Sequence, residues 1–212
     1  MEAATPAPPP PPPPPPPAAG SRASDYPVRL EAQNQGEYNR FLPLIKWLLA
    51  FPHYIALLFV LIGAAVVLLI AFFATIFTGR WPRGMFDYVA GTFRWTYRVY
   101  GYVYLLTDRY PPFSLGEEPD YPIRVEIEYP EYVDRWRPLV HWLLILPYAF
   151  VAALLLQVAG IIAFISVFVI LFTAKLPPGL FNLIVNPLRW MLRASTYHAW
   201  MVTRYPPWEW EE

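Results

Sequence analysis

The sequence predicts an all-α membrane protein: two tandem repeats of a transmembrane helical hairpin, four spans in all, with short strands at the cytoplasmic membrane face. Three observations carry that expectation. The chain matches itself without a gap when slid by 95 residues, so that "RYPP" at Arg109 recurs at Arg204. Two long runs, Tyr54–Phe77 and Tyr148–Phe172, contain no charged residue. Of the 212 residues, 56% are hydrophobic and only 15% charged, where a soluble domain carries about 25% charge.

The chain divides into a tail (1–25), a first membrane repeat (26–113), an acidic linker (114–120), a second repeat (121–208) and an acidic end (209–212). The tail holds an unbroken run of prolines from Pro8 to Pro17. It has no charged segment ahead of an apolar core, so it does not read as a signal peptide. Proline fixes φ and removes the amide donor, which favours a disordered, semi-rigid polyproline II rod about 30 Å long. The sharper reading makes that rod a ligand for an aromatic-lined groove in a protein partner.

Each repeat opens on an alternating stretch, Tyr26–Glu31 in the first, where Val28 and Leu30 oppose Arg29 and Glu31. That is the pattern of a half-exposed strand. An amphipathic segment follows, Tyr38–Phe51, carrying Arg40 and Lys46. Pro52 suits a first helical turn, and the uncharged run behind it exceeds the ~20 residues a bilayer requires. The equivalent run in the second repeat holds only Gln157 as a strongly polar residue. A second helix is expected over Gly84–Leu106 and again over Gly179–Met201. In the first, Asp87, Gly91, Arg94, Arg98 and Tyr102 fall on one stripe, and Asn182, Asn186, Arg189, Arg193 and Tyr197 repeat the spacing.

Hydropathy does not decide whether that second helix spans, because an arginine at the bilayer centre costs about 2.5–3.5 kcal/mol. Cation placement favours hairpins. With two spans per repeat, one side holds Arg22, Arg29, Arg40, Lys46, Arg109, Arg124, Arg135, Arg137 and Arg204, and the other only Arg80, Arg83 and Lys175. With one span per repeat the second copy is inverted and the bias vanishes. The hairpin arrangement puts both termini in the cytoplasm. It makes Arg109, Tyr110, Arg204 and Tyr205 interfacial anchors, tyrosines at headgroup level and arginines on lipid phosphates.

"YPVRLE", the "P…KWLLAFPH" segment and the closing "LTDRYPPFSL" resemble the bacterial family called domain of unknown function 4389, present here as two tandem copies. The resemblance covers about Tyr26 to Trp208. It implies small helical membrane domains in the bacterial inner membrane. It implies no reaction and supplies no catalytic residues.

Among functional classes, the absence of cysteine removes thiolate chemistry and disulfides. The histidines His53, His141 and His198 do not recur between the copies and form no metal motif; His141, in the place of Lys46, reads as an interfacial cation. Phosphate-loop, nucleophile-elbow and zinc-protease motifs are missing, and the net charge is zero. No enzyme, cofactor, metal site or nucleic-acid partner is therefore expected. The candidates for binding an anion or a lipid are Arg94, Arg98, Arg189 and Arg193, with Asp87 as the one acid near them; the alternative is that these arginines snorkel to headgroups. "GEEPDYP" reads as a solvated linker and "WEWEE" as an interfacial aromatic tail. A structural or lipid-contacting accessory or scaffold protein with membrane lipids as partners demands least of the sequence. The alternative is a small carrier or channel for an anion or anionic lipid. The oligomeric state stays open.

Overall fold

The computed structural model describes residues 25–211, so the proline run and its expected polyproline II conformation lie outside the described residues. Each copy contains a strand, a short helix, a long helix and a helix that folds back. In the first these are β1 (Val28–Ala32), α1 (Leu42–Leu49), α2 (Phe51–Thr78) and α3 (Arg83–Val103); in the second, β2 (Ile123–Ile127), α4 (Arg137–Leu144), α5 (Leu146–Thr173) and α6 (Pro178–His198). The short and long helices of a copy follow one bent path. The Ala50 and Tyr54 amides reach the Lys46 and Ala50 carbonyls (2.9 and 3.1 Å), while Pro52 removes a donor at the bend. Gly79 (φ 71°) and Ala174 (φ 56°) end the long helices in the left-handed conformation. Each returns its amide to a carbonyl one turn back, Thr75 and Ile170, at 2.8 Å.

Contacts along α2 and α3 run Val60 to Tyr88 and His53 to Trp95, so α3 lies antiparallel on α2. Between copies the contacts are exchanged. Val133 donates to the Gly79 carbonyl (3.0 Å), and at the equivalent positions Tyr38 donates to the Ala174 carbonyl (2.9 Å). The approach to each short helix thus meets the far end of the other copy's long helix, which makes α2 and α5 antiparallel. β1 and β2 pair antiparallel, with Val28 opposite Ile127 and Leu30 opposite Val125. Leu30 and Val125 are equivalent under the 95-residue offset, so the pseudo-two-fold axis passes through that pair. Each strand packs on the other copy's returning helix, β1 on α6 and β2 on α3.

α3 and α6 form the middle layer. From Val89 to Tyr102, α3 has no exposed residue. One side of this layer carries the sheet, with Val28, Leu30, Val125 and Ile127 turned inward and Arg29 and Glu126 outward. The other side carries α1, α2, α4 and α5. These hold most of the exposed large apolar side chains, for example Phe59 and Phe164, whereas α3 and α6 contribute only Leu183 among the described residues.

The spanning expectation is met in part. Leu42–Thr78 and Leu146–Thr173 are helical paths long and apolar enough to cross a membrane; α3 and α6 are not. Hairpins that start on one side would require α2 and α5 to run parallel, and they run antiparallel. Tyr110 accordingly sits at the start of α2, where its Oη donates to the Leu49 carbonyl (3.1 Å), and Tyr205 at the start of α5, against Tyr148. The two RYPP segments therefore lie at opposite ends of the helices. The sheet does not lie beyond the helix ends either: Arg189, halfway along α6, donates from Nε to the Leu30 carbonyl at 3.1 Å. The exchanged strand contacts impose this geometry, because each strand buries its apolar side only by lying along the other copy's helix.

Candidate functional site

The arginine stripes of α3 and α6 face the sheet side, and each stripe has its own partners. Arg94 pairs with Glu117 of the linker (Nη2 to Oε1, 3.0 Å). Arg98, almost fully buried, donates to the Ser114 carbonyl (3.1 Å) and to the Gly116 carbonyl. Gly91 makes this possible, since a Cβ there would lie 2.7 Å from the Leu115 carbonyl oxygen. On α6 a single acid serves two arginines: Glu211 pairs with Arg189 (Nε to Oε2, 3.1 Å) and with Arg193. Asn186 holds that tail in place, donating from Nδ2 to the Glu211 carbonyl (2.7 Å) and accepting the Glu211 amide on Oδ1 (3.1 Å). Trp190 Nε1 donates to the Glu209 carbonyl (3.1 Å).

Asp87 does not join the arginines of the stripe. It stands one turn from Arg83 (3.4 Å), and both are exposed. The counterions of the stripe come instead from the linker, which the sequence reading left in solvent, and from the C-terminal end, which it placed at the membrane interface. Their charge was legible; their destination was not, because both lie in irregular chain without periodicity.

The RYPP segments close each copy. Tyr121 Oη donates to the Arg109 carbonyl (2.9 Å) and Tyr26 Oη to the Arg204 carbonyl (3.1 Å), so each repeat's opening tyrosine clasps the RYPP beside the strand it adjoins. Arg109 donates to the Asp120 carbonyl (2.6 Å) and Arg204 pairs with Asp25 (3.4 Å), so these two arginines serve chain closure. The aromatic after each RYPP packs under the long helix. Phe113 stacks on His53 with centroids 3.8 Å apart, and Trp208 meets Tyr148 at 4.9 Å.

Two buried polar groups on the short helices occupy equivalent places. Lys46 is 1% exposed, with Nζ donating to the Thr107 carbonyl (2.9 Å) and pairing with Asp108 (2.7 Å). His141 is fully buried, so it is not the interfacial cation its alignment suggested. Its ring stacks on Tyr197 at 4.0 Å, its Nδ1 lies 2.7 Å from the Tyr197 carbonyl, and its Nε2 lies 3.3 Å from Arg137 Nη1. The carbonyl takes a proton on Nδ1 and the guanidinium needs an acceptor at Nε2, so the ring is neutral. Burial, joined by the Arg137 charge, pushes its pKa down to about 4. Among the described residues, no cluster of three histidine or acidic side chains could hold a metal ion.

A family model described as domain of unknown function (DUF4389) matches residues 43–114 and again 135–209. The matched segments run from the short helix of each copy to just past its RYPP, and they leave out both strands. No curated protein and no solved structure matches the chain.

Proposed function

From the premise that this chain belongs to the DUF4389 family, in two copies, we propose that it is a membrane-seated structural or lipid-contacting scaffold. Its bilayer contact is the face built by α1, α2, α4 and α5. The observation that carries this reading is the one-sided distribution of exposed apolar side chains, with the charged sheet surface across the middle layer from them. An exposed apolar surface of this extent marks a membrane or partner interface. Two orientations follow from the fold. If α2 and α5 stood across the bilayer, Arg29, Glu31, Arg124 and Glu126 would lie at mid-depth, at about 2.5–3.5 kcal/mol for each charge. If the long helices lie along one leaflet, the sheet, both RYPP segments and both described chain ends stay on one side, and no charge enters hydrocarbon.

The flat orientation is the one proposed, in the cytoplasmic leaflet of a bacterial inner membrane, with both termini cytoplasmic. No reaction is assigned to it, and a protein partner is left to the proline-rich tail. A carrier for an anion has less support, since Arg94, Arg189 and Arg193 already hold carboxylates.

The chain has no cysteine, which allows single reporter thiols. Cysteines placed at Gly116, Arg80 and Lys175 should all react with a membrane-impermeant maleimide from the cytoplasmic side. Labelling of positions 80 and 175 from opposite sides would establish one span per copy. Labelling of both from the side opposite position 116 would establish four-span hairpins. Either result ends the flat reading.

A further inference from the structure

Arginines of the core hold carboxylates or carbonyls, as Arg94, Arg109 and Arg189 do. Four cations differ. The side chains of Arg40, Arg80, Arg135 and Lys175 are exposed and make no hydrogen bond, ion pair or ring contact among the described residues. They are two equivalent pairs under the 95-residue offset, Arg80 with Lys175 and Arg40 with Arg135. The exchange between copies joins them crosswise. The Val133 amide meets the Gly79 carbonyl and the Tyr38 amide meets the Ala174 carbonyl. Arg80 therefore adjoins the stretch that carries Arg135, and Lys175 adjoins the stretch that carries Arg40. The hairpin expectation put the members of each couple on opposite sides of a membrane; the antiparallel fold makes them neighbours. Their backbone is fixed alike in both copies, since Thr78 Oγ1 accepts the Arg80 amide and Thr173 Oγ1 the Lys175 amide, each at 3.2 Å. Each junction closes one end of the apolar face. Phe77 and Trp136 stand exposed at one, Phe172 and Phe41 at the other. Asp134 is held by Arg137 and Asp87 by Arg83, which leaves Glu131 as the exposed acid on the approach to the first junction and Glu37 on the approach to the second. Each junction thus sets two unpartnered cations against one exposed acid.

We propose that the two junctions are headgroup sites for anionic lipid: Arg80 with Arg135, and Lys175 with Arg40, each receive a net-negative headgroup beside the exposed aromatic rings. Rings at headgroup level and cations on lipid phosphate are the chemistry of a membrane interface. A zwitterionic lipid brings its own cation to its phosphate, so the couples favour a headgroup that carries none. The apolar face accepts any bilayer; the couples at its two ends make it prefer an anionic one. In the flat orientation both couples reach the same leaflet, and the molecule is fastened at two points related by the pseudo-two-fold axis. The proposal rests on the membrane-seated reading and names the lipid class which that reading left open. It also separates two roles that the sequence merged: the arginines of the stripes fasten the linker and tail, and the cations at the junctions meet the membrane.

The test reconstitutes the full chain in vesicles of equal parts phosphatidylglycerol and phosphatidylcholine, extracts it in a mild neutral detergent and quantifies the retained lipids by mass spectrometry. Phosphatidylglycerol should be retained about three- to tenfold over phosphatidylcholine. The excess should shrink in high salt, which screens exposed charge. Arg80→Gln with Arg135→Gln should remove about half of it and Arg40→Gln with Lys175→Gln the rest, because the junctions are equivalent. All four side chains are exposed and unpartnered, so these variants should keep the wild-type melting temperature. Arg124→Gln, on the sheet surface, should leave the ratio unchanged. Equal retention of the two lipids would overturn the proposal and leave the junctions to an acidic protein partner; an excess that survives the fourfold variant, or one lost wholly through a single couple, would overturn it as well. Flotation separates this proposal from the reading beneath it. A protein that floats with vesicles of phosphatidylcholine alone yet retains both lipids equally sinks the headgroup sites and keeps the membrane seat; one that floats with neither kind of vesicle ends both.

Discussion

Among the described residues, Glu211 is the acid that meets two arginines of the candidate site. Its carboxylate meets Arg189, whose side chain is 16% exposed, and Arg193, at 3%. Glu117 occupies the matching role for Arg94 but is itself 79% exposed. A surface pair is worth about 0–1 kcal/mol, whereas stripping the partner from buried charges costs several times more. Glu211→Gln should therefore destabilise the protein by about 1–3 kcal/mol, and Glu117→Gln by less than about 1 kcal/mol, read as melting temperatures in the same detergent. Equal losses would mean that the tail contributes no more than the linker. The same comparison bears on ligand chemistry, since an anion bound among these arginines would first have to displace a carboxylate.

Among the elements, the ends of the two long helices form a natural experiment. Both need a left-handed residue to turn into the returning helix, and both carbonyls there accept an amide from the other copy. The first end uses Gly79 and the second Ala174. A side chain in that conformation costs roughly 1–2 kcal/mol. Ala174→Gly should thus stabilise by up to about 1 kcal/mol, since glycine's extra chain entropy offsets part of the relief. Gly79→Ala should destabilise by at least as much, because its Cβ would also approach Tyr132 Cε2 to 2.8 Å. Opposite signs in the two melts are the check. Loss of stability in both would show that Ala174 is not strained.

Across the whole molecule, the two copies keep their helix pairs and exchange their strands. β2 lies on α3, and at Gly101 an added Cβ would come within 2.6 Å of Ile123 Cγ1, so this strand and helix are fitted to each other. β1 is fitted to the second copy in the same way, through Arg189 and Tyr26. A fragment spanning 38–128 should accordingly resist limited proteolysis in detergent better than one spanning 25–113, although the second is the intact repeat by alignment. Greater resistance of the 25–113 fragment would make the exchanged strands incidental.

Legibility follows from what kind of information each feature needs. The duplication, the uncharged lengths that become α2 and α5, the returning helices and the two strands are local patterns, and each is found within a few residues of its expected bounds. The stripes through Arg94 and Arg189 were also local, and they show that something polar faces each helix. Periodicity cannot name that something, because a linker carboxylate, a tail carboxylate and a lipid phosphate satisfy an arginine equally well. Nor does a gapless repeat set the direction of its symmetry axis: parallel and antiparallel copies have identical sequences. By itself, then, the sequence determined which segments avoid water and which recur. Only tertiary structure decided that α2 and α5 run antiparallel, that Glu117 pairs with Arg94 and Glu211 with Arg189 and Arg193, and that Asp87 stands apart. Those depend on which distant surface covers each face, and apolar burial rewards coverage without specifying its source.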